Sequence, residues 1–237
     1  MKMMKFILKT LQNIDNLITY IFSNLSNEKK ILTNFFGNKK IIAIDVGANL
    51  GGYTDLLLKN INLKELHIFE PSKKCIGYLK SKYIRKNIFI NDNALSNTNK
   101  ITTFYENEVL SQSSLNNRKN KFNSNLKNIE TYKVNCVSLD NYYFLNLKKK
   151  QIDLLKIDAE GEDLKVLKGS TKLLKNKKIK LIKIELLNSI DIQNKSNINE
   201  IIIFLDKYKY FMTSIVKTKF VNHKLLMMDV YFTYKKN

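Results

Sequence analysis

The chain is short of the residues that break or staple a fold. Its 237 residues include one proline, Pro71, and seven glycines. That excludes collagen-like and proline-rich architectures and leaves no evident flexible linker. Two cysteines, Cys75 and Cys136, are too few and too far apart in sequence to form a zinc site, and they predict a reduced, cytoplasmic chain. Two histidines, His67 and His223, exclude a histidine-rich metal centre. No uninterrupted apolar stretch reaches the roughly 18 residues of a membrane span, so no transmembrane helix is expected. Arginine is nearly absent: of 41 cationic residues only Arg85 and Arg118 are arginine, and the other 39 are lysine. Nucleic-acid recognition leans on the planar arginine fork. The net charge of +20 therefore reads first as compositional bias, since Lys, Asn and Ile share A/T-rich codons, and only second as an attraction for anions. What remains is ample for a core, at 44% hydrophobic and 26% charged residues, and excludes wholesale disorder.

Residues 1–38 read as an amphipathic helical extension. Phe6, Ile7, Leu11, Ile14, Leu17, Ile18, Ile21, Phe22 and Leu25 recur at helical spacing. Packing on the main domain is expected, with peripheral membrane contact by residues 1–25 as the alternative use of a lysine-flanked helix. From Ile41 onward strand-like and helix-like segments alternate. Strands are predicted at Ile41–Val46, Glu65–Glu70, Asn87–Asn91, Ile101–Tyr105, Tyr132–Val137, Ile152–Ile157 and Ile179–Leu187, with a closing hairpin of Phe211–Lys217 and Leu225–Tyr234 that turns at Asn222-His223. Helices are predicted from Tyr53, from a cap at Ser72, from Ser138, over Asp163–Lys175, and from Asn197. Such alternation implies a mostly parallel sheet covered on both faces. The polar stretch 106–130 is expected as an insert or a lid loop.

Chemistry concentrates at the strand ends. Asp45-Val46-Gly47-Ala48-Asn49-Leu50-Gly51-Gly52 lies where a strand gives way to a helix, and its glycines let the backbone turn tightly and approach a ligand. The pattern is not the dinucleotide fingerprint G-x-G-x-x-G, because Asn49 holds the second glycine position. Asp45 places a carboxylate at the tip, which suits a cationic amino-acid group better than a pyrophosphate. Glu70 ends the next strand, one β-α-β unit on, where a carboxylate accepts ribose hydroxyls. Asp92-Asn93-Ala94 ends the third and would meet an adenine edge. An amino-acid end, a ribose and an adenine together describe S-adenosylmethionine.

The sequence resembles the FkbM family of S-adenosylmethionine-dependent methyltransferases over roughly residues 41–234. The resemblance is carried by DVGANLGGYT (45–54), FEPS (69–72), DNALSN (92–97), the pair Ser113-Ser114, VSLDNY (137–142) and LLKIDAEGEDLKVLKG (154–169). It implies an α/β, Rossmann-like class I methyltransferase fold: a mostly parallel seven-stranded sheet, helices on both faces and a C-terminal antiparallel hairpin, occupying residues 39–237. It implies O-methylation of a sugar, glycan or small-metabolite hydroxyl. Cofactor roles fall on Asp45, Gly47, Asn49, Gly51, Tyr53, Glu70, Asp92, Asn93, Ala94 and Asp158. The chain departs from the family in carrying Glu162-Asp163 where a His-Glu pair is frequent.

With both histidines poorly placed, the candidate catalytic groups are the carboxylates Asp158 and Glu160, after the Ile152–Ile157 strand, and Glu185 on the Ile179–Leu187 strand. Asp158 is expected at the cofactor's methionine end or the acceptor hydroxyl. No metal is expected, although Asp158, Glu185 and Asn188 are oxygen ligands that suit a hard divalent cation. Glu162 and Asp163 suit the N-terminus of the following helix, and Lys156 and Lys183 flank the acids. The lone proline excludes the paired-proline loop of nucleic-acid amino-methylating enzymes and the Pro-Cys nucleophile of cytosine-C5 enzymes. Lys40, Asp158 and Lys183 imitate three members of the tetrad of RNA ribose 2′-O-methyltransferases, but no glutamate follows in a suitable place. RNA methylation and a non-catalytic cofactor-binding scaffold are the alternatives carried forward.

Overall fold

The computed structural model describes residues 27–116, 128–187, 198–221 and 224–235. The chain divides into two compact units, Met1–Lys39 and Lys40–Asn237. In the first, helix α1 spans 27–36 and ends at Gly37, whose φ is +56° and whose N–H bonds the Thr33 carbonyl at 2.8 Å. The amphipathic pattern expected over 1–25 lies outside the described residues.

The second unit is built on a sheet of seven strands. β1 (Ile41–Val46) and β7 (Ile152–Ile157) are buried at every position, the signature of parallel strands covered on both faces. With β2 (Leu63–Phe69), β3 (Ile88–Asn91), β8 (Ile179–Leu187), β9 (Phe211–Val221) and β10 (Lys224–Thr233) they run in the order β3-β2-β1-β7-β8-β10-β9. β1, β2, β3, β7 and β8 pair in parallel, whereas β10 is antiparallel to β8 and to β9. The chain works outward from β1 to β3 and then crosses back to β7 on the other side. This places a topological switch point between β1 and β7, where ligands of open α/β sheets bind. A second, three-stranded sheet sets β6 (Asn128–Val137) between β4 (Ala94–Leu95) and β5 (Lys100–Asn107). Its own core is small: Ala94, Phe104, Val134 and Cys136.

The helices are α2 (Gly52–Asn60), α3 (Lys73–Lys82), α4 (Leu139–Tyr142), α5 (Asp163–Lys168), α6 (Thr171–Lys175) and α7 (Ile198–Lys207). Ser72 and Ser138 cap α3 and α4 as the sequence predicts, accepting from the N–H groups of Cys75 and Asn141. Several elements differ from expectation. The helix predicted over 163–175 breaks into α5 and α6, because Gly169 lies against the Ser96 backbone and the Ser170 hydroxyl bonds the Val166 carbonyl at 2.8 Å. α4 runs on into a π-helical turn, Tyr143–Leu147. Glu106 and Asn107, read as loop, complete β5. The turn at Asn222-His223 lies outside the described residues. Among the described residues, no helix is long and apolar enough to cross a membrane.

Candidate active site

The parallel register of β1 and β7 sets Asp45 opposite Lys156. Both are buried, at 0% and 5% exposure, and their charged ends stand 3.1 Å apart. The Lys156 ammonium also donates to the carbonyls of Gly47 (2.9 Å) and Val46 (3.2 Å) and lies 3.5 Å from Asp158. Burial alone would lower its pKa; the charges of Asp45 and Asp158 outweigh burial and hold it above the ordinary lysine value. Thr54 donates to the other Asp45 oxygen at 2.8 Å. Asp45 therefore does not face the cleft as expected. Lys156 supplies the cation that the sequence reading assigned to a ligand, and the pair fixes the glycine loop from beneath.

Above that pair, Gly47 adopts φ +69°, and a Cβ there would stand 1.9 Å from the Asp158 carbonyl oxygen. Only glycine lets the β1 and β7 tips approach so closely. Gly51 (φ +82°) is likewise closed to a side chain by the Tyr83 ring. Asn49 turns its side-chain oxygen to the Cys75 thiol at 3.4 Å and gives its N–H to Glu70 at 2.7 Å. Glu70 takes a second N–H from Ser72 at 2.9 Å. It is 6% exposed, and burial pushes its pKa up to about 7 despite those two bonds. The Ser72 hydroxyl passes the network to Glu106, fully buried at the end of β5, whose other oxygen accepts from Tyr132 at 2.5 Å.

A cleft of about 630 Å³, partly open to solvent, runs over these tips. Of the residues anticipated for the cofactor, Gly47, Asn49, Glu70, Ala94 and Asp158 line it, as does Glu160. Gly51, Tyr53, Asp92 and Asn93 do not. Tyr53 sits under the ammonium of Lys183, 4.5 Å from its ring centroid, with its hydroxyl 3.3 Å from that of Tyr231. Asp92 is exposed and faces a neighbouring groove with Lys73 and Tyr132. Segment 110–115 contributes Leu110, Ser111, Ser113, Ser114 and Leu115 to the cleft wall; residues 117–127 of the expected lid lie outside the described residues.

Asp158, Glu160 and Glu185 come together, with carboxylate oxygens within 4.8 Å of one another. Burial first, and then the charges of Asp158 and Glu160, push Glu185 well above the ordinary carboxylate range, so it keeps its proton at neutral pH. Three carboxylates at that spacing could hold a divalent cation; Asn188, the third ligand weighed from the sequence, lies outside the described residues. Lys183, expected beside these acids, pairs instead with Asp229 at 3.1 Å. Asp163 is not an ordinary helix-end charge: its two oxygens accept the N–H groups of Ala159 (2.9 Å) and Gly161 (3.1 Å) and so fold the turn that carries Glu160. Glu162 is tied to Lys165 at 2.8 Å. His67 is buried in β2, bonded to Tyr142 at 2.8 Å, with its pKa lowered by burial. The sequence reading missed the central part of Lys156. Its signal was a lysine near the end of a central strand that is apolar apart from Asp153, two positions before Asp158.

The sheet order and the strand-tip site define a class I methyltransferase fold. The chain belongs to the Methyltransferase FkbM domain family, whose match spans residues 45–212; the cofactor of that family is S-adenosylmethionine. Among solved structures, a methyltransferase FkbM from Methylobacillus flagellatus KT is similar with a TM-score of 0.52 and 12% identity, over 81% of this chain and 43% of that one. This chain thus spans less than half the length of the Methylobacillus protein. An rRNA methylase from Streptococcus thermophilus gives a TM-score of 0.50 and 12% identity, over 88% of this chain and 95% of that one. Both are likenesses of fold. A search of curated proteins finds no significant match.

Proposed function

We propose that this protein is an O-methyltransferase that uses S-adenosylmethionine to methylate a hydroxyl of a sugar, glycan or small metabolite. The observation that carries this reading is the meeting of Asp158, Glu160 and Glu185 at the switch point beside the glycine loop, while His67 is engaged elsewhere. When bound, S-adenosylmethionine supplies an electrophilic methyl group on a sulfonium. The cleft suits it: Gly47 lets the β1 and β7 tips close up where a Cβ would strike the Asp158 carbonyl, and each Glu70 oxygen has one N–H partner and a lone pair left for a ribose hydroxyl. Ala94 flanks the adenine side, with Asp92 and Asn93 behind it. Asp45, Gly51 and Tyr53 act from below, holding the loop rather than touching the ligand.

Asp158 accepts the proton of the acceptor hydroxyl, and Glu185, kept protonated by burial and its neighbouring carboxylates, adds no charge to the pocket. Aligning donor and hydroxyl supplies most of the rate, and the carboxylate base adds about 10²–10⁴-fold. Residues 39–237 form the catalytic domain, 1–38 a helical extension, and the cleft-lining part of 106–130 a wall over the acceptor. Two buried free cysteines suit a cytoplasmic enzyme. A ribose 2′-hydroxyl of RNA is the second reading, favoured by the net charge of +20.

Transfer of labelled methyl from S-adenosylmethionine to a panel of sugars, nucleotide sugars, glycans and RNA decides between them. Label in a carbohydrate hydroxyl is expected. Label in RNA alone would turn the reading to the second, and binding without transfer to any acceptor would favour a scaffold. On the accepted substrate, Asp158→Asn should lower the rate by about 10²–10⁴-fold while binding of S-adenosylhomocysteine persists.

A further inference from the structure

Ser114 is 2% exposed although Glu108, Val109 and Ser111 nearby are at the surface. Its hydroxyl donates to the Glu160 carbonyl at 3.2 Å and accepts the Asn116 N–H at 3.2 Å. Its backbone bridges Tyr105 in both directions, at 2.9 and 3.1 Å. The adjoining Ser113 hydroxyl accepts the Asn107 N–H at 3.0 Å. Through these bonds the serine pair joins the end of β5 to the turn that follows β7.

That turn is strained. Glu160 has φ +52°, in the left-handed region, where a residue with a Cβ rests only when its surroundings hold it. Asp163 holds the N–H groups on either side of it from within the turn. Ser114 holds its carbonyl from the opposite wall of the cleft. Without that bond, the peptide after Glu160 is freer to rotate, and the Cα–Cβ direction that aims the carboxylate at Asp158 and Glu185 goes with it.

We infer that Ser114 is a positioning residue for methyl transfer: by bonding the Glu160 carbonyl it fixes the left-handed turn that keeps the Glu160 carboxylate among Asp158 and Glu185, beside the sulfonium of the methyl donor. The inference rests on the proposal that these carboxylates belong to the active site. It carries a charge signature. S-adenosylmethionine is a sulfonium cation at the reacting sulfur, whereas S-adenosylhomocysteine is a neutral thioether there. A correctly aimed Glu160 therefore favours the first over the second, and a displaced one favours it less.

Calorimetric titration of the full chain with each compound reads that ratio without an acceptor. Ser114→Ala is expected to lose affinity for S-adenosylmethionine at least about threefold more than for S-adenosylhomocysteine, the scale of a partly lost charge interaction in a semi-polar site. Ser114→Thr, which keeps the hydroxyl, should restore the wild-type ratio, and Ser114→Cys, similar in size but a weak donor, should fall between. An unchanged ratio in Ser114→Ala, including equal loss of both ligands, would overturn the inference and leave Ser114 with a structural part only. If the alanine variant does not fold, the cysteine variant decides by the same criterion. Failure of the wild type to bind either compound would instead remove the active-site reading, and the inference with it.

Discussion

At Glu70 a carboxylate is held in a place that burial makes costly, and its raised pKa has a defined consequence for stability. The folded state holds the proton to about pH 7, whereas an unfolded glutamate releases it near pH 4.5. Between those values the folded state carries more protons, so this group's contribution declines as pH rises from 4.5 and levels off above 7. The full difference is up to about 3 kcal/mol. Urea unfolding of wild type and Glu70→Gln at both ends of that window should show a steeper loss in the wild type toward pH 7.5; parallel losses would contradict the assignment. Glu70 and the carboxylates after β7 were legible because they close apolar runs, where a strand must end and a polar side chain gains solvent or ligand. Asp45 looked the same in sequence but faces Lys156, and that pairing depends on the register between two strands more than a hundred residues apart. No local pattern reports it.

The elements themselves were read best where their signals are local. β1, β7 and β8 fall at the boundaries that their β-branched runs predict, and the serine caps of α3 and α4 are visible as a serine before a helical pattern. β4, two residues long, escapes because its pairing comes from Cys136 and Val137, over forty residues away. The break between α5 and α6 escapes for the same reason: Gly169 answers to Ser96. Glycine to alanine within a helix ordinarily stabilises, by up to about 1 kcal/mol. At Gly169, however, the new Cβ would stand 2.0 Å from the Ser96 carbonyl oxygen. Gly169→Ala should therefore destabilise, by about 1–3 kcal/mol, while Gly52→Ala at the start of α2, with open space around it, should be neutral or stabilising. Thermal melts of the two variants check the opposite signs; equal shifts would refute the close approach at Gly169.

Across the molecule, a strongly basic chain carries an acidic cluster at its switch point. The lysine surplus is spread along the sequence, whereas Asp158, Glu160 and Glu185 converge only because the β-α-β order returns β7 beside β1 and sets β8 beside β7. The fold class was legible from that alternation, and the family from its strand-tip motifs. The part of Ser114 was not, because it acts through a backbone carbonyl in the turn after β7, over forty residues away. Calorimetry of the full chain with S-adenosylhomocysteine at about pH 7.5 tests most directly whether the β1 and β2 tips grip the methyl donor. One saturable site is expected, weakened about tenfold or more by Glu70→Ala, the loss of one to two hydrogen bonds to a charged group. Absence of binding, or an affinity that Glu70→Ala leaves unchanged, would contradict it.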